Sequence, residues 1–233
     1  MNVSHENKVI WWAPERCATK ITAKIFGEAD FFVDGRPLSE GYHSHDFEIP
    51  SGCEDYKIFC NIRNPYDRIF GIFLNFTNFG INFVYTKDKK QDLITKYENF
   101  IDEFVTNNRR FSENQKIGEE PTLWRYFNKM NFFQKYPDYF IRVENLEYDL
   151  SKINFVTDTY LWKSGQAKEL LEKNSFLKKR PFTFDEIYTE KGANKIFHYF
   201  RKQFFLLGYS PFSFTKEILD NDHKKYFLHN IID

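Results

Sequence analysis

Two short stretches put basic side chains where an apolar run hands over to a helix. In the first, "WWAPERCATKITAKIF", Arg16, Cys17, Ala18, Thr19 and Lys20 follow a run broken by Pro14. Successive backbone N–H groups in such a turn can wrap a phosphate or sulfate, with Thr19 adding a hydroxyl and Arg16 and Lys20 adding charge. In the second, "IRNPYDRIFGIF", Arg63 closes the apolar run from Tyr56 to Ile62. Asn64 is a good helix N-cap and Pro65 a good first helical residue, so the N–H groups of a new helix join the arginine in a second anion site. Asp67 falls in the first turn, where the helix dipole favours an acid. Between the two stretches, "EGYHSHDFEIP" carries His43 and His45. Imidazole ionises near neutrality and suits proton transfer. Two residues apart on an extended chain, the rings share a side. An H-x-H pair also suits a metal, but no third Cys or carboxylate stands at ligand spacing, Asp46 and Glu48 being the nearest acids.

Each feature has a plainer reading. The first stretch can be an ordinary β–α turn with a solvated basic rim. The second can be a capped helix whose arginines are solvated or paired with Asp67. The histidines can be surface loop residues. Trp11, Trp12 and Trp124 can stack on a ligand, though core packing is the commoner role for each.

The elements that must position these residues follow from hydrophobic spacing. "KVIWWA" (8–13) predicts a short strand, and a helix is expected from Thr19 to Phe26. Residues 30–54, rich in Gly, Pro, Ser, Asp and His, read as loop. Tyr56–Ile62 reads as an interior strand. Ile69, Phe70, Phe73, Leu74 and Phe76 give the next helix its apolar face. Asp92 to Val105 is amphipathic, with Leu93, Tyr97, Phe100, Ile101 and Phe104 on one side. "YFIRV" (139–143) is a further strand, and "ENLEYDL" turns out of it. A last helix is expected from Glu190 to Leu206, with Gly208 at its C-terminal cap. Strands alternating with helices predict a single α/β domain over 1–233 with a central, mostly parallel sheet.

Composition narrows the partners. The 33 Lys and Arg balance the 33 Asp and Glu, so there is no electrostatic case for binding nucleic acid. Cys17, Cys53 and Cys60 lack metal-ligand or CxxC spacing, which favours a reduced, intracellular and hence cytoplasmic setting. His5, Glu6 and Lys8 argue against a signal peptide, and no apolar run is long enough to span a membrane.

With these residues in view, the chain resembles the sulfotransferases that use 3′-phosphoadenosine 5′-phosphosulfate, in particular the carbohydrate-type and membrane-enzyme-related branch. "APERCATKI" is similar to that family's 5′-phosphosulfate loop, P-K/R-x-G/A-x-T. "IRNPYDRIFGIF" is similar to its 3′-phosphate motif, R-N/D-P-Y-D-R-x-x-S. "YFIRVENLEYDL" and "YFRKQFFLLGYSPF" are similar to its later strand and closing helix. The resemblance implies a P-loop-NTPase-like sulfotransferase fold. It implies donor binding by Arg16, Cys17, Ala18, Thr19, Lys20, Arg63 and the position of Gly71. It implies catalysis by Arg16 and Lys20 with a histidine base, His45 first because it lies nearer the second motif, and His43 second. No metal is required. The acceptor would be a hydroxyl, with a carbohydrate or glycan as the family-level expectation. The acceptor's identity and the oligomeric state are not legible.

Two departures stand out. Gly71 replaces the family's serine, which normally helps hold the 3′-phosphate. In the first loop, ungapped counting from Pro14 puts Glu15 at the basic position, and one extra residue puts Arg16 there. Arg16 is preferred, because a carboxylate facing a phosphosulfate in a low-dielectric cleft is repelled. Two rivals remain: a degenerate nucleotide-binding protein without catalysis, and a small-molecule kinase of related architecture. The absence of GxxxxGK[ST] argues against the kinase.

Overall fold

The computed structural model describes residues 2–14, 16–38, 43–44, 49–76, 90–107, 137–173, 184–201, 204 and 207–210. They contain strands β1 (Asn2–Ser4), β2 (Val9–Trp12), β3 (Phe32–Val33), β4 (Arg36–Pro37), β5 (Lys57–Ile62) and β6 (Tyr139–Arg142). The helices are α1 (Thr19–Gly27), α2 (Pro65–Phe76), α3 (Lys90–Asn107), α4 (Leu146–Leu150), α5 (Asn154–Thr157), α6 (Tyr160–Lys163), α7 (Gln166–Lys173), α8 (Phe184–Ile187) and α9 (Glu190–Tyr199). The chain forms two compact units, each drawn from two stretches of sequence. One comprises Met1–Arg63 and Tyr126–Lys179, the other Asn64–Arg125 and Arg180–Asp233.

The first unit is α/β. Its sheet has the order β4-β3-β1-β2-β5-β6. β2, β5 and β6 run parallel, with Trp11 opposite Phe59 and Cys60 opposite Phe140. The expected mostly parallel sheet is corrected here: β1–β2, β1–β3 and β3–β4 are antiparallel, so the sheet is mixed. The cause is two tight reversals. Residues 5–8 turn β1 back along β2, with the Ser4 hydroxyl accepting from the Asn7 backbone N–H at 3.1 Å and Lys8 left-handed. Asp34 and Gly35 have φ of 50° and 77°, and this pair of positive values is what a two-residue hairpin needs. Both β3 and β4 fall in the stretch expected to be loop.

Alternation along the strands sorts the core. Val9, Trp11, Phe59 and Ile141 face α1 and the helices after β6, packing on Ile21, Ile25, Phe26, Leu150 and Val156. Trp11 is 0 % and Trp12 1 % exposed, so both are core residues, while Trp124 lies outside the described residues. Behind β6, the Asp149 carboxylate takes the Arg142 backbone N–H and Nε, each at 2.8 Å, closing the "ENLEYDL" turn onto its strand.

The second unit is helical. α2 starts as expected: Asn64 Oδ1 accepts from the Tyr66 N–H at 3.0 Å, and Pro65 is its first residue. Phe73 and Phe100 pack at 5.3 Å between centroids, and Phe104 stacks on Phe200 at 6.1 Å. Tyr66, Tyr97 and Tyr188 form a buried cluster in which Tyr97 and Tyr188 share a hydrogen bond and the Tyr188 hydroxyl donates to the Tyr66 carbonyl at 2.8 Å. Burial pushes the Tyr97 and Tyr188 phenols well up and that of Tyr66 up to about 12. The last helix is interrupted by a turn at Phe200. The helix expected to reach Leu206 ends at Tyr199 with Phe200 as its C-cap, so Gly208, φ 64°, is not its cap; beyond it the Tyr209 N–H bonds the Phe204 carbonyl at 3.0 Å.

Candidate functional site

The turn from β2 into α1 is the most chemically distinctive part of the first unit. Pro14 ends the strand. Arg16 and Ala18 then adopt φ of 63° and 56°, while Cys17 between them does not. Left-handed backbone at two non-glycine residues is strained, by roughly 1–2 kcal/mol each. Alternation of this kind turns successive N–H groups toward one point. Ala18 is the N-cap of α1 and has no side chain able to cap it, and the first turn carries no acid. The positive end of α1 therefore has no cap from its N-cap side chain and no acid in its own first turn.

Side chains of the same unit hold this turn by its carbonyls. Arg63 NH1 donates to the Arg16 carbonyl at 2.9 Å. Asn61 Nδ2 donates to the Cys17 carbonyl at 2.7 Å. The Thr22 hydroxyl and N–H both donate to the Ala18 carbonyl at 3.1 Å. In a trans peptide the next N–H points opposite to the carbonyl. The anchored Cys17 and Ala18 carbonyls thus aim the Ala18 and Thr19 N–H groups away from their anchors, while the Cys17 N–H donates to the Pro14 carbonyl at 3.3 Å. Thr19 is buried, its hydroxyl without a partner among the described residues, and Lys20 is exposed. Arg16 and Arg63 are half-buried.

The other expected site residues fall as follows. Arg63 joins the two sequence motifs directly, through its bond to Arg16. In the second unit, by contrast, the start of α2 is already occupied by the Asn64 cap and by Asp67, both buried, and Arg68 is only 4 % exposed. An internal cap and an internal acid make that helix end a poorer anion site by itself than the start of α1. Gly71 lies in the second turn of α2 and offers no side-chain donor. His43 rests on Trp11, 6.4 Å between ring centroids, with its Nδ1 enclosed. Its neighbour Ser44 is clamped by Asn2, whose carboxamide accepts from the Ser44 N–H and donates to the Ser44 carbonyl, both at 2.8 Å. His45, Asp46, Glu48 and Glu15 lie outside the described residues.

Asn61 is not among the residues the sequence singles out, because it sits inside an apolar run that reads as a plain interior strand. The available signal was chemical: asparagine is disfavoured in strands, and at 0 % exposure it must find partners. Cys17, Cys53 and Cys60 are buried thiols outside any disulfide. No group of three potential metal ligands occurs among the described residues, and no helix there is long and apolar enough to cross a membrane. No protein-family model matches the chain, and comparison with curated proteins and with solved structures gives no match.

Proposed function

We propose that the protein transfers a sulfuryl group from 3′-phosphoadenosine 5′-phosphosulfate to an acceptor hydroxyl, on a carbohydrate or glycan by family resemblance, in a P-loop-type sulfotransferase fold. The observation that carries this reading is the strained, uncapped turn at 16–19, held by Arg63 of the second motif. The Ala18 and Thr19 N–H groups and the Arg16 and Lys20 side chains would receive the 5′-phosphosulfate. Arg63, at the end of β5, would serve the 3′-phosphate. The acceptor oxygen attacks sulfur, the S–O bond to the phosphate breaks, and the nucleotide leaves with the bonding electrons. Charge on the leaving phosphate grows in the transition state, so Arg16, Lys20 and the turn stabilise the transition state more than the ground state. The acceptor proton passes to an imidazole of the His43–His45 pair. No step needs a metal. Buried thiols outside any disulfide support a reducing, cytoplasmic setting.

A second reading, a nucleotide-binding protein without catalysis, is favoured by the missing side chain at Gly71. Titration with adenosine 3′,5′-bisphosphate and with ATP, followed by a labelled-sulfate transfer assay on a panel of hydroxyl acceptors, separates the readings. Binding with transfer supports the enzyme. Binding without transfer supports the binder. ATP binding alone supports the kinase.

A further inference from the structure

We infer that Asn61, with Trp11 behind it, is a positioning residue that sets the first turn in its anion-accepting conformation; this rests on the reading of that turn given above. An indole nitrogen can only donate, so the Trp11 Nε1–H, 2.8 Å from Asn61 Oδ1, fixes which end of the carboxamide is oxygen. The NH2 end is then committed to the other side. There it finds two acceptors, the Cys17 carbonyl at 2.7 Å and the Thr22 hydroxyl at 2.9 Å. With its oxygen used by Asn61, the Thr22 hydroxyl gives its own proton to the Ala18 carbonyl at 3.1 Å.

The result is a one-way relay of hydrogen bonds from the sheet into the turn. Trp11, Asn61 and Thr22 are all 0 % exposed, so water cannot substitute for a lost link. The relay holds the carbonyls on both sides of the Cys17–Ala18 linkage, where the backbone enters its second left-handed residue. A strained conformation persists only when its surroundings over-determine it. The relay supplies that constraint from β2 and β5, adjacent parallel strands of the sheet.

Two substitutions break the relay, Asn61→Asp with little change in shape and Trp11→Phe with the loss of one buried ring. Asn61→Asp keeps the side-chain size but cannot donate, and sets acceptor against acceptor at Cys17 and Thr22. Trp11→Phe removes the N–H that orients the amide. Hydrogen exchange of the full chain reads the outcome without any ligand. The Thr22 amide, bonded to the Ala18 carbonyl, reports how firmly the turn is held. Exchange across 17–22 is expected to rise by about tenfold or more in both variants, the equivalent of one buried hydrogen bond lost, with β6 and α7 unchanged. Unchanged exchange at 17–22 in a folded variant, or acceleration spread evenly over the whole first unit, overturns the inference. If Asn61→Asp does not fold, Trp11→Phe decides. Titration with adenosine 3′,5′-bisphosphate then separates the two claims. No binding by the wild-type chain, with local loosening in the variants, sinks the functional reading and leaves Asn61 as the turn's anchor. Tight binding by wild type and variants alike, with no loosening, sinks the role of Asn61 and leaves the functional reading.

Discussion

Ala18 and Arg63 are the residues whose substitution says most about the turn. Ala18 has φ of 56°, which glycine adopts without the clash of a Cβ. Ala18→Gly is therefore expected to raise stability by about 1 kcal/mol, despite glycine's freer unfolded chain, in urea denaturation. A loss of stability would show that the left-handed conformation carries no strain. Arg63→Ala removes a guanidinium that bonds the Arg16 carbonyl at 2.9 Å and would also face the ligand. Affinity for adenosine 3′,5′-bisphosphate should fall by about tenfold or more in calorimetry, and Arg63→Lys should not restore it, since a single ammonium cannot serve two directed partners. Equal affinity in all three proteins would remove Arg63 from the site. The base is tested in the same way. Loss of the correct histidine, by His45→Ala or His43→Ala, should lower turnover by roughly 100- to 10,000-fold and abolish the acid limb of the rate profile. If neither change does so, the base is not an imidazole of this pair. Arg16, Thr19, Lys20 and Arg63 could be singled out from sequence because charge and strand ends are local signals. Asn61 carries only the weaker signal of an amide inside an apolar run, because its importance lies in what Trp11 presents from β2 and Cys17 from the turn.

At the scale of elements, β2, β5, β6, α1, α2 and α3 were legible, since each is a run of apolar residues at one period with a breaker at its end. Pro14 and the Asn64-Pro65 pair marked two boundaries closely. β3 and β4 were missed although Asp34-Gly35 is a strong hairpin signal, because the strands are two residues long and lie in a polar stretch. That hairpin, with β1, is why the sheet is mixed. The capping of α2 yields a stability prediction. Asn64→Ala leaves the Tyr66 N–H without its Oδ1 partner and should cost about 1 kcal/mol in urea denaturation. No change would mean that the backbone and Pro65 alone define that helix start. The turn after β6 is more tightly bound. Arg142 and Asp149 are 4 % and 0 % exposed, so Asp149→Ala abandons a buried guanidinium and should cost about 3–5 kcal/mol.

At the scale of the whole molecule, the division into two units was not legible, because each unit joins stretches far apart in sequence. Their contents differ. The first is a sheet with its helices, and the second is helical with a core of aromatic rings. The second unit carries the clearest dependence on pH. Tyr66, Tyr97 and Tyr188 are held neutral by burial, with folded-state pKa values above the usual 10. The unfolded chain releases these protons first, so stability is full below pH 10 and falls as pH rises above it toward the folded values, through about 12 for Tyr66. Tyrosinate absorbance should show the Tyr97 and Tyr188 phenols ionising only with unfolding, and a change of all three tyrosines to Phe should flatten this alkaline loss. The central claim, however, concerns the first unit, and the most direct test is the amide NMR spectrum of the full chain titrated with adenosine 3′,5′-bisphosphate. The account predicts that the N–H signals of Ala18, Thr19 and Lys20 move most, with the Arg63 guanidinium, and that ATP moves them less. Signals that stay fixed at 16–20 while the nucleotide binds elsewhere, or larger shifts with ATP, would contradict it.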